Sequence, residues 1–173
     1  MFFDEFGFSF QESLAPTWAP KGQRPIMRRV TNERRALSMG VGLTLSGEIY
    51  TRQFHKAMSS AEVIVALRHM LRYLAEGFIL VWDPAPIHKS KAVAAYLSDH
   101  PEIREERLPA HAPELNPEEY CHGNVKQRLR NATPANVQQM RTMVHRGFAR
   151  LRHRPDLLLS FVHAAGLSVR QLW

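Results

Sequence analysis

The stretch Phe78-Ile-Leu-Val-Trp-Asp83-Pro84 decides the fold. A continuous apolar run that ends at an acid is typical of a central strand covered on both faces. Strand and helix patterns alternate around this run, and that order favours an α/β domain. An ionised carboxylate at the end of a buried strand is costly unless it pairs or binds a cation. Because open α/β sheets place their sites at the carboxyl ends of strands, Asp83 is the first candidate site residue.

The segment before this strand predicts three strands, a loop and one helix. Ser46-Gly47 marks the turn of a hairpin, and Ala15 to Gly22 is rich in turn residues. Ser59 and Glu62 have the spacing of a capping box, and apolar residues recur at helical spacing after it until Gly77. The predicted elements are strands at 1–6, 36–45 and 48–54 and a helix at 60–75.

The segment after this strand predicts one further strand and several helices. Asn116-Pro117 and Thr133-Pro134 each pair a capping residue with a proline suited to the first helical turn, so a helix is expected at both. Apolar positions after the second form one helical stripe: Val137, Met140, Val144, Phe148 and Leu151. The remaining predicted elements are a helix at 88–97 and a strand at 103–108.

Composition limits the class of protein. The 173 residues fit one domain, and 45% are hydrophobic, which is enough for a core. The longest apolar stretch is too short to cross a bilayer and no signal peptide is recognisable, so we expect a soluble intracellular protein without membrane contact. The single cysteine, Cys121, excludes an internal disulfide within these residues.

Positive charge is concentrated in the last third of the chain. Residues 121–173 contain nine Lys or Arg and one acid, a net charge of +8, whereas residues 1–120 carry −1. This asymmetry favours a polyanionic partner such as nucleic acid. A solvated basic helix surface is the alternative interpretation.

Three acidic positions are candidates for a shared metal site. Asp4 and Asp83 each end an apolar run, and Glu118-Glu119 lies in the first turn of the helix expected at Asn116. Converging carboxylates repel one another without a cation, and oxygen ligands favour Mg²⁺ or Mn²⁺. Such a site suits phosphodiester chemistry. Taken singly, each acid is also explained as a turn cap or a helix-dipole partner.

Four sequence blocks, in the same order, resemble the DDE transposases of bacterial insertion sequences in the mariner-like superfamily. They are Phe3-Asp-Glu-Phe-Gly7, Thr17-Trp-Ala-Pro-Lys-Gly-Gln-Arg-Pro25, Val81-Trp-Asp-Pro-Ala-Pro-Ile-His-Lys-Ser90 and Leu108-Pro-Ala-His-Ala-Pro-Glu-Leu-Asn-Pro-Glu-Glu119. The fourth block is the most specific, and together they span nearly the whole expected catalytic domain.

The resemblance implies a ribonuclease-H-like α/β fold over residues 1–173 as a single DDE catalytic domain. The expected sheet is five-stranded and mixed, with three antiparallel strands extended by two parallel ones and flanking helices. Asp4, Asp83 and Glu119 match the catalytic and metal-binding acids, which implies a site for Mg²⁺ or Mn²⁺, with two ions expected. The gap from Asp83 to Glu119 is one residue longer than the more familiar spacing, so Glu118 stays open as the third acid.

The resemblance also suggests DNA contacts and shows departures from the family. His88, Lys89 and Lys126 are candidate DNA-binding residues, although each also suits a solvated helix surface. Pro84 replaces an asparagine that the family often has after its second aspartate. His122 replaces a tryptophan, and we expect weaker packing beneath the site.

The expected function is metal-dependent DNA strand cleavage and strand transfer in transposition, with element ends and target DNA as substrates. The helix-turn-helix region that usually precedes Asp4 in the family is expected to be absent, or supplied by a separate polypeptide, and an active enzyme is expected to be a homodimer in the bacterial cytoplasm, at the nucleoid. The alternatives are a nuclease without strand transfer, and an inactive truncated transposase remnant that binds DNA or intact transposase.

Overall fold

The elements of the chain alternate between strands and helices until β5 and are helical beyond it. The computed structural model describes residues 1–9, 15–26 and 37–168. The strands are β1 (Phe2–Phe8), β2 (Leu37–Leu43), β3 (Ile49–Phe54), β4 (Phe78–Trp82) and β5 (Ile103–Arg107), and the helices are α1 (Ser60–Leu71), α2 (Lys91–Asp99), α3 (Glu118–Arg128), α4 (Val137–Arg152) and α5 (Pro155–Ala164).

The strands form one mixed sheet in the order β3-β2-β1-β4-β5. The pairs β1–β2 and β2–β3 are antiparallel, whereas β1–β4 and β4–β5 are parallel. Phe2 pairs with Val81, so Asp4 in β1 and Asp83 after β4 come to the same part of the sheet. This topology confirms the predicted combination of three antiparallel and two parallel strands.

Alternation along β1 divides the apolar residues into two cores. Phe3 packs on one face with α1, β4 and α2, whereas Phe6 and Phe8 pack on the other with β2, α3, α4 and α5. Burying one such aromatic side chain contributes about 1.5–3 kcal/mol. β1 is therefore held by apolar contacts on both faces, and it is the strand that carries Asp4.

The expectation that β4 is covered on both faces was wrong. Leu80 and Trp82 are buried against α1 and α2, but Ile79 on the opposite face is 53% exposed. The helices on that face of the sheet, α3 and α4, pack mainly over β1, β2 and β3, so they do not cover Ile79. The apolar run predicted the strand correctly without predicting how far the helices extend across it.

Helix boundaries follow the capping residues. The predicted capping box of α1 is present, but α1 ends at Leu71, before 75. Gly77 has φ +89° and closes the turn before β4 by donating its amide to the Leu74 carbonyl oxygen, and a Cβ at this position would collide with the carbonyl oxygen of Glu102. The prediction that a helix starts at Thr133-Pro134 was wrong, because Asn136 caps α4 by accepting from the Gln139 amide at 2.8 Å.

The remaining boundaries differ from the predictions by a few residues. α2 begins at Lys91 after the cap of Ser90, later than predicted, and the loop expected from Ala15 to Gly22 is confirmed. The predicted second strand began at residue 36, which lies outside the described residues. Among residues 1–9, 15–26 and 37–168 no helix has the length and apolar character needed to cross a membrane.

Candidate active site

A small cleft lies where β1, the end of β4 and the start of α3 meet. Its volume is ≈ 130 Å³, and the loop from Leu108 to Pro113 forms one wall. Three acids line it, each from a different element: Asp4, Asp83 and Glu119. Residues separated by 79 and 36 positions along the chain thus share one cleft because β1 and β4 are parallel neighbours and α3 packs on β1.

Asp4 is the most enclosed of the three acids. Its Oδ1 accepts from the Glu5 amide at 2.7 Å, and its Oδ2 accepts from Asn116 Nδ2 at 3.2 Å. Burial raises the pKa of Asp4 to about 6. Asn116 also accepts from the Glu118 amide at 3.2 Å, so this one side chain caps α3 and ties that helix to the acid of β1. The sequence analysis gave Asn116 only the capping role.

Glu118 and Glu119 have different environments although they are adjacent in α3. The side chain of Glu119 is 45% exposed and lines the cleft, whereas that of Glu118 is 0% exposed and lies beneath it. Burial raises the pKa of Glu118, and the contact with His122 lowers the pKa of Glu119. Of the two glutamates that the sequence left open, Glu119 is the one that faces Asp4 and Asp83.

His122 connects the two glutamates. Its Nε2 lies 2.7 Å from Glu118 Oε2, and its Nδ1 lies 3.5 Å from Glu119 Oε2. Burial by itself would lower the pKa of His122, but the Glu118 carboxylate raises it to about 10. The short contact joins an imidazolium to a carboxylate without the alignment of a good hydrogen bond, so we describe it as a buried ion pair.

The weaker packing expected from His122 stays a prediction, and the ring itself is buried among aromatic side chains. The ring is 4% exposed, and its centroid lies 5.1 Å from that of Phe6 and 6.4 Å from that of Phe148. An imidazole therefore fills the space beneath the cleft, and the ion pair with Glu118 offsets part of the cost of burying its charge.

Asp83 lies at the exposed rim of the cleft and is oriented from below by His88. Asp83 Oδ1 accepts from the Ala85 amide at 3.2 Å and lies 2.9 Å from His88 Nδ1. The same nitrogen lies 2.9 Å from the backbone oxygen of Asp83, and His88 Nε2 lies 2.7 Å from Glu5 Oε1. Burial would lower the pKa of His88, but the hydrogen bond with Glu5 raises it.

Asp4, Glu119 and His122 form a group that can hold a cation. One oxygen or nitrogen from each of these side chains lies within 4.8 Å of the others, and Asp83 faces the same cleft. A buried carboxylate with a raised pKa, next to further acids, is neutralised well by a divalent ion. The side chains present thus fit the metal site expected from the sequence.

Residues 1–141 match the family model described as DDE superfamily endonuclease. The chain belongs to this family. No curated protein matches the chain. Several solved structures align with 98% of the chain. The pre-cleavage Mos1 transpososome matches with 18% identity and TM-score 0.65, and the mariner Mos1 paired end complex with Mg with 20% identity and TM-score 0.63. The Mos1 transposase catalytic domain with raltegravir and Mg is 19% identical with TM-score 0.58.

These likenesses establish the ribonuclease-H-like fold. The chain covers 56% of the protein chain in the first two complexes and 84% of the chain in the catalytic-domain structure. It therefore spans about half the length of the transposase chains it matches in the DNA-end complexes.

One DNA-binding candidate of this DDE endonuclease is not accessible. His88 is 2% exposed and its ring stacks on Trp82 with centroids 4.0 Å apart, so the prediction that it contacts DNA was wrong. The turn after β4 folds the ring back under the sheet edge. Lys89 and Lys126 are exposed, and Lys126 Nζ lies 5.6 Å from the Phe6 ring centroid. The sequence analysis missed Glu5, whose partner His88 lies 83 positions away.

Proposed function

We propose that this chain is the catalytic domain of a DNA transposase, which cleaves DNA strands at the ends of a mobile element and joins them to target DNA. The observation that carries the proposal is the convergence of Asp4, Asp83 and Glu119 on one cleft. Membership of the DDE endonuclease family supports the reaction class. The solved complexes of Mos1 transposase with transposon ends support DNA as the substrate.

In this proposal the three acids hold Mg²⁺ or Mn²⁺, with two ions at work. The bound cations supply Lewis acidity to the attacking and leaving oxygens of the phosphodiester. Around them, Asn116 fixes the Asp4 carboxylate at 3.2 Å and His88 fixes the Asp83 carboxylate at 2.9 Å. These contacts preorganise the acids before DNA arrives, so less reorganisation is needed during the reaction.

The proposal extends to partners and location. Lys89 and Lys126 are exposed, and we assign them to DNA phosphates. We assign recognition of the element ends to helix-turn-helix modules, and the active form is a homodimer. The working place is the bacterial nucleoid, as part of an insertion sequence.

The remnant alternative is favoured by one observation, the position of His122. An imidazolium 3.5 Å from Glu119 already neutralises part of the acid set, and a cation must compete with it. In that case the chain binds DNA or an intact transposase without cleaving.

The test is nicking of supercoiled plasmid in Mn²⁺ and in Mg²⁺. Asp83→Asn and Glu119→Gln should each lower the rate by about 10²–10³-fold, the usual cost of removing one charge-stabilising group. The matched controls are Asp99→Asn and Glu76→Gln, two exposed acids that do not line the cleft, which should cleave like the wild type.

Joining of pre-cleaved ends separates a transposase from a simple nuclease. Cleavage that is equal in all variants rules the proposal out. A folded wild-type protein that neither cleaves alone nor with an added helix-turn-helix polypeptide establishes the remnant.

A further inference from the structure

A nitrogen of the buried His122 lies within 4.8 Å of carboxylate oxygens of Asp4 and Glu119, two of the three acids that line the cleft. We propose that His122 Nδ1 binds the cation together with Asp4 and Glu119, which makes this a mixed oxygen and nitrogen site that prefers Mn²⁺ and similar transition-metal ions to Mg²⁺. The inference rests on the proposed metal-dependent function, and the closing experiment separates failure of one from failure of the other.

The geometry of the group carries the inference. One ligand atom each from Asp4, Glu119 and His122 lies within 4.8 Å of the other two. His122 is 96% buried, and the nitrogen that faces Glu119 at 3.5 Å is Nδ1. The separation is too long for a strong hydrogen bond, which leaves room for a shared partner between the ring and the carboxylate.

Glu118 gives this histidine the support that metal-bound histidines have. A ligating imidazole usually donates its other N–H to a carboxylate, which fixes the tautomer and the ring orientation. Glu118 Oε2 lies 2.7 Å from Nε2, so this carboxylate contacts one ring nitrogen and leaves Nδ1 as the nitrogen on the side of Glu119. Among the described residues, Glu118 has no well-aligned hydrogen bond to any other group. Orienting His122 therefore accounts for the buried position of the Glu118 carboxylate.

The aromatic surroundings hold the ring in that orientation. Phe6 lies against the imidazole with centroids 5.1 Å apart, and Phe148 meets it edge to face at 6.4 Å. A side chain locked by packing loses little further rotamer freedom when it binds a ligand. His122 is thus preorganised, unlike the half-exposed Glu119.

The donor set predicts the selectivity. Mg²⁺ prefers oxygen ligands and retains water, whereas imidazole suits transition-metal ions. A cation that accepts a nitrogen ligand therefore gains affinity at this site, and Mg²⁺ gains less from that ligand than Mn²⁺ does.

The experiment is electron spin echo envelope modulation on the full chain, without a histidine tag, loaded with Mn²⁺. We expect nitrogen modulation in the wild type that changes on labelling histidine with ¹⁵N and disappears in His122→Gln. By calorimetry, His122→Gln should lower Mn²⁺ affinity by at least about tenfold, with a much smaller change for Mg²⁺. Glu118→Gln should keep the modulation and lower Mn²⁺ affinity by about 10-fold.

The matched control is His111→Asn. His111 lines the same cleft and has φ 60°, a conformation that asparagine tolerates. This variant should retain the wild-type modulation. Where His122→Gln does not fold, the wild-type spectrum with labelled histidine and the spectrum of His111→Asn together decide the question.

Three results overturn the inference: bound Mn²⁺ without nitrogen modulation, modulation that depends on His111 instead of His122, or higher affinity for both ions in His122→Gln. If such a protein still cleaves DNA through Asp83 and Glu119, the proposed function stands and only the histidine ligand is wrong. If the wild type neither binds Mn²⁺ nor cleaves, both proposals fail.

Discussion

Two buried histidines lie beneath the cleft, one on each side. On the His88 side, defined by Glu5, Asp83 and His88, both ring nitrogens lie within hydrogen-bond distance of oxygen atoms, at 2.7 and 2.9 Å. On the His122 side, defined by Glu118, Glu119 and His122, one nitrogen is 2.7 Å from an acid and the other is 3.5 Å from the next. Both nitrogens of His88 thus have a close oxygen partner, whereas only Nε2 of His122 has one.

The acids behind the two rings differ in burial as well. The side chain of Glu5 is 19% exposed, whereas that of Glu118 is 0% exposed. Water can therefore solvate Glu5 in part, but Glu118 depends on His122 alone among the groups described near it. A buried histidine paired with a glutamate can therefore orient a neighbouring acid, as His88 does, or offer a ligand to a cation, as proposed for His122.

The largest expected effect is the loss of stability in Glu118→Ala. Removing one partner of a buried ion pair leaves the other charge unpaired and costs about 3–5 kcal/mol. Glu5→Ala should cost less, about 1–3 kcal/mol, because His88 keeps its contact with Asp83. Urea denaturation followed by circular dichroism measures both. Equal losses of stability in Glu118→Ala and Glu5→Ala would contradict the difference between the two histidine environments. Glu114→Ala serves as the exposed control.

An effect of intermediate size is expected for His88→Phe. The phenyl ring preserves stacking on Trp82 but loses the contact with Asp83, so Asp83 is no longer oriented. Plasmid cleavage should fall by about 10–100-fold, the usual effect of losing a group that orients a metal ligand. Nitrogen modulation from bound Mn²⁺ should stay unchanged. His145→Phe, an exposed histidine of α4, is the control, and loss of modulation in His88→Phe would contradict the assignment.

The smallest expected effects concern one lysine on each side. Lys89→Gln on the His88 side and Lys126→Gln on the His122 side should each reduce the salt dependence of DNA binding by about one unit of slope. Fluorescence anisotropy over a range of salt concentrations measures the slope. Lys56→Gln is the control, because Lys56 already pairs with Glu62 at 2.8 Å. A slope that changes on one side only would place the DNA backbone on that side.

The sequence predicted where the strands lie along the chain better than it predicted which strands are adjacent in the sheet. Local pattern is enough to find β1 and β2, which are short apolar runs, and β3, which alternates between apolar and polar residues. The adjacency of β1 and β4 joins residues nearly eighty positions apart, and only the resemblance to a known family supplied it. The exposure of Ile79 was missed for a related reason, because it depends on where α3 and α4 end.

The acids of the site were predicted, but their partners were not. Asp4, Asp83 and Glu119 stand in recognisable blocks, and the structure brings them to one cleft. His88 was a candidate for DNA binding because it opens the predicted helix after Asp83, and nothing local indicates that Glu5 lies against it. His122 was judged as a lost tryptophan. Its spacing from Glu118, four positions in a helix, was the signal that could have revealed the ion pair.

The central position of β1 has a consequence for synthesis of the chain. Its partners β2 and β4 follow about 30 and 70 residues later, so the aromatic segment Phe2–Phe8 spends time without neighbours. Short aromatic strands in that state are prone to aggregate, and charges within them act against it. Asp4 and Glu5 interrupt this run at its middle. The carboxylate proposed for cleavage thus also serves as a gatekeeper, keeping the nascent strand soluble until the sheet closes around it.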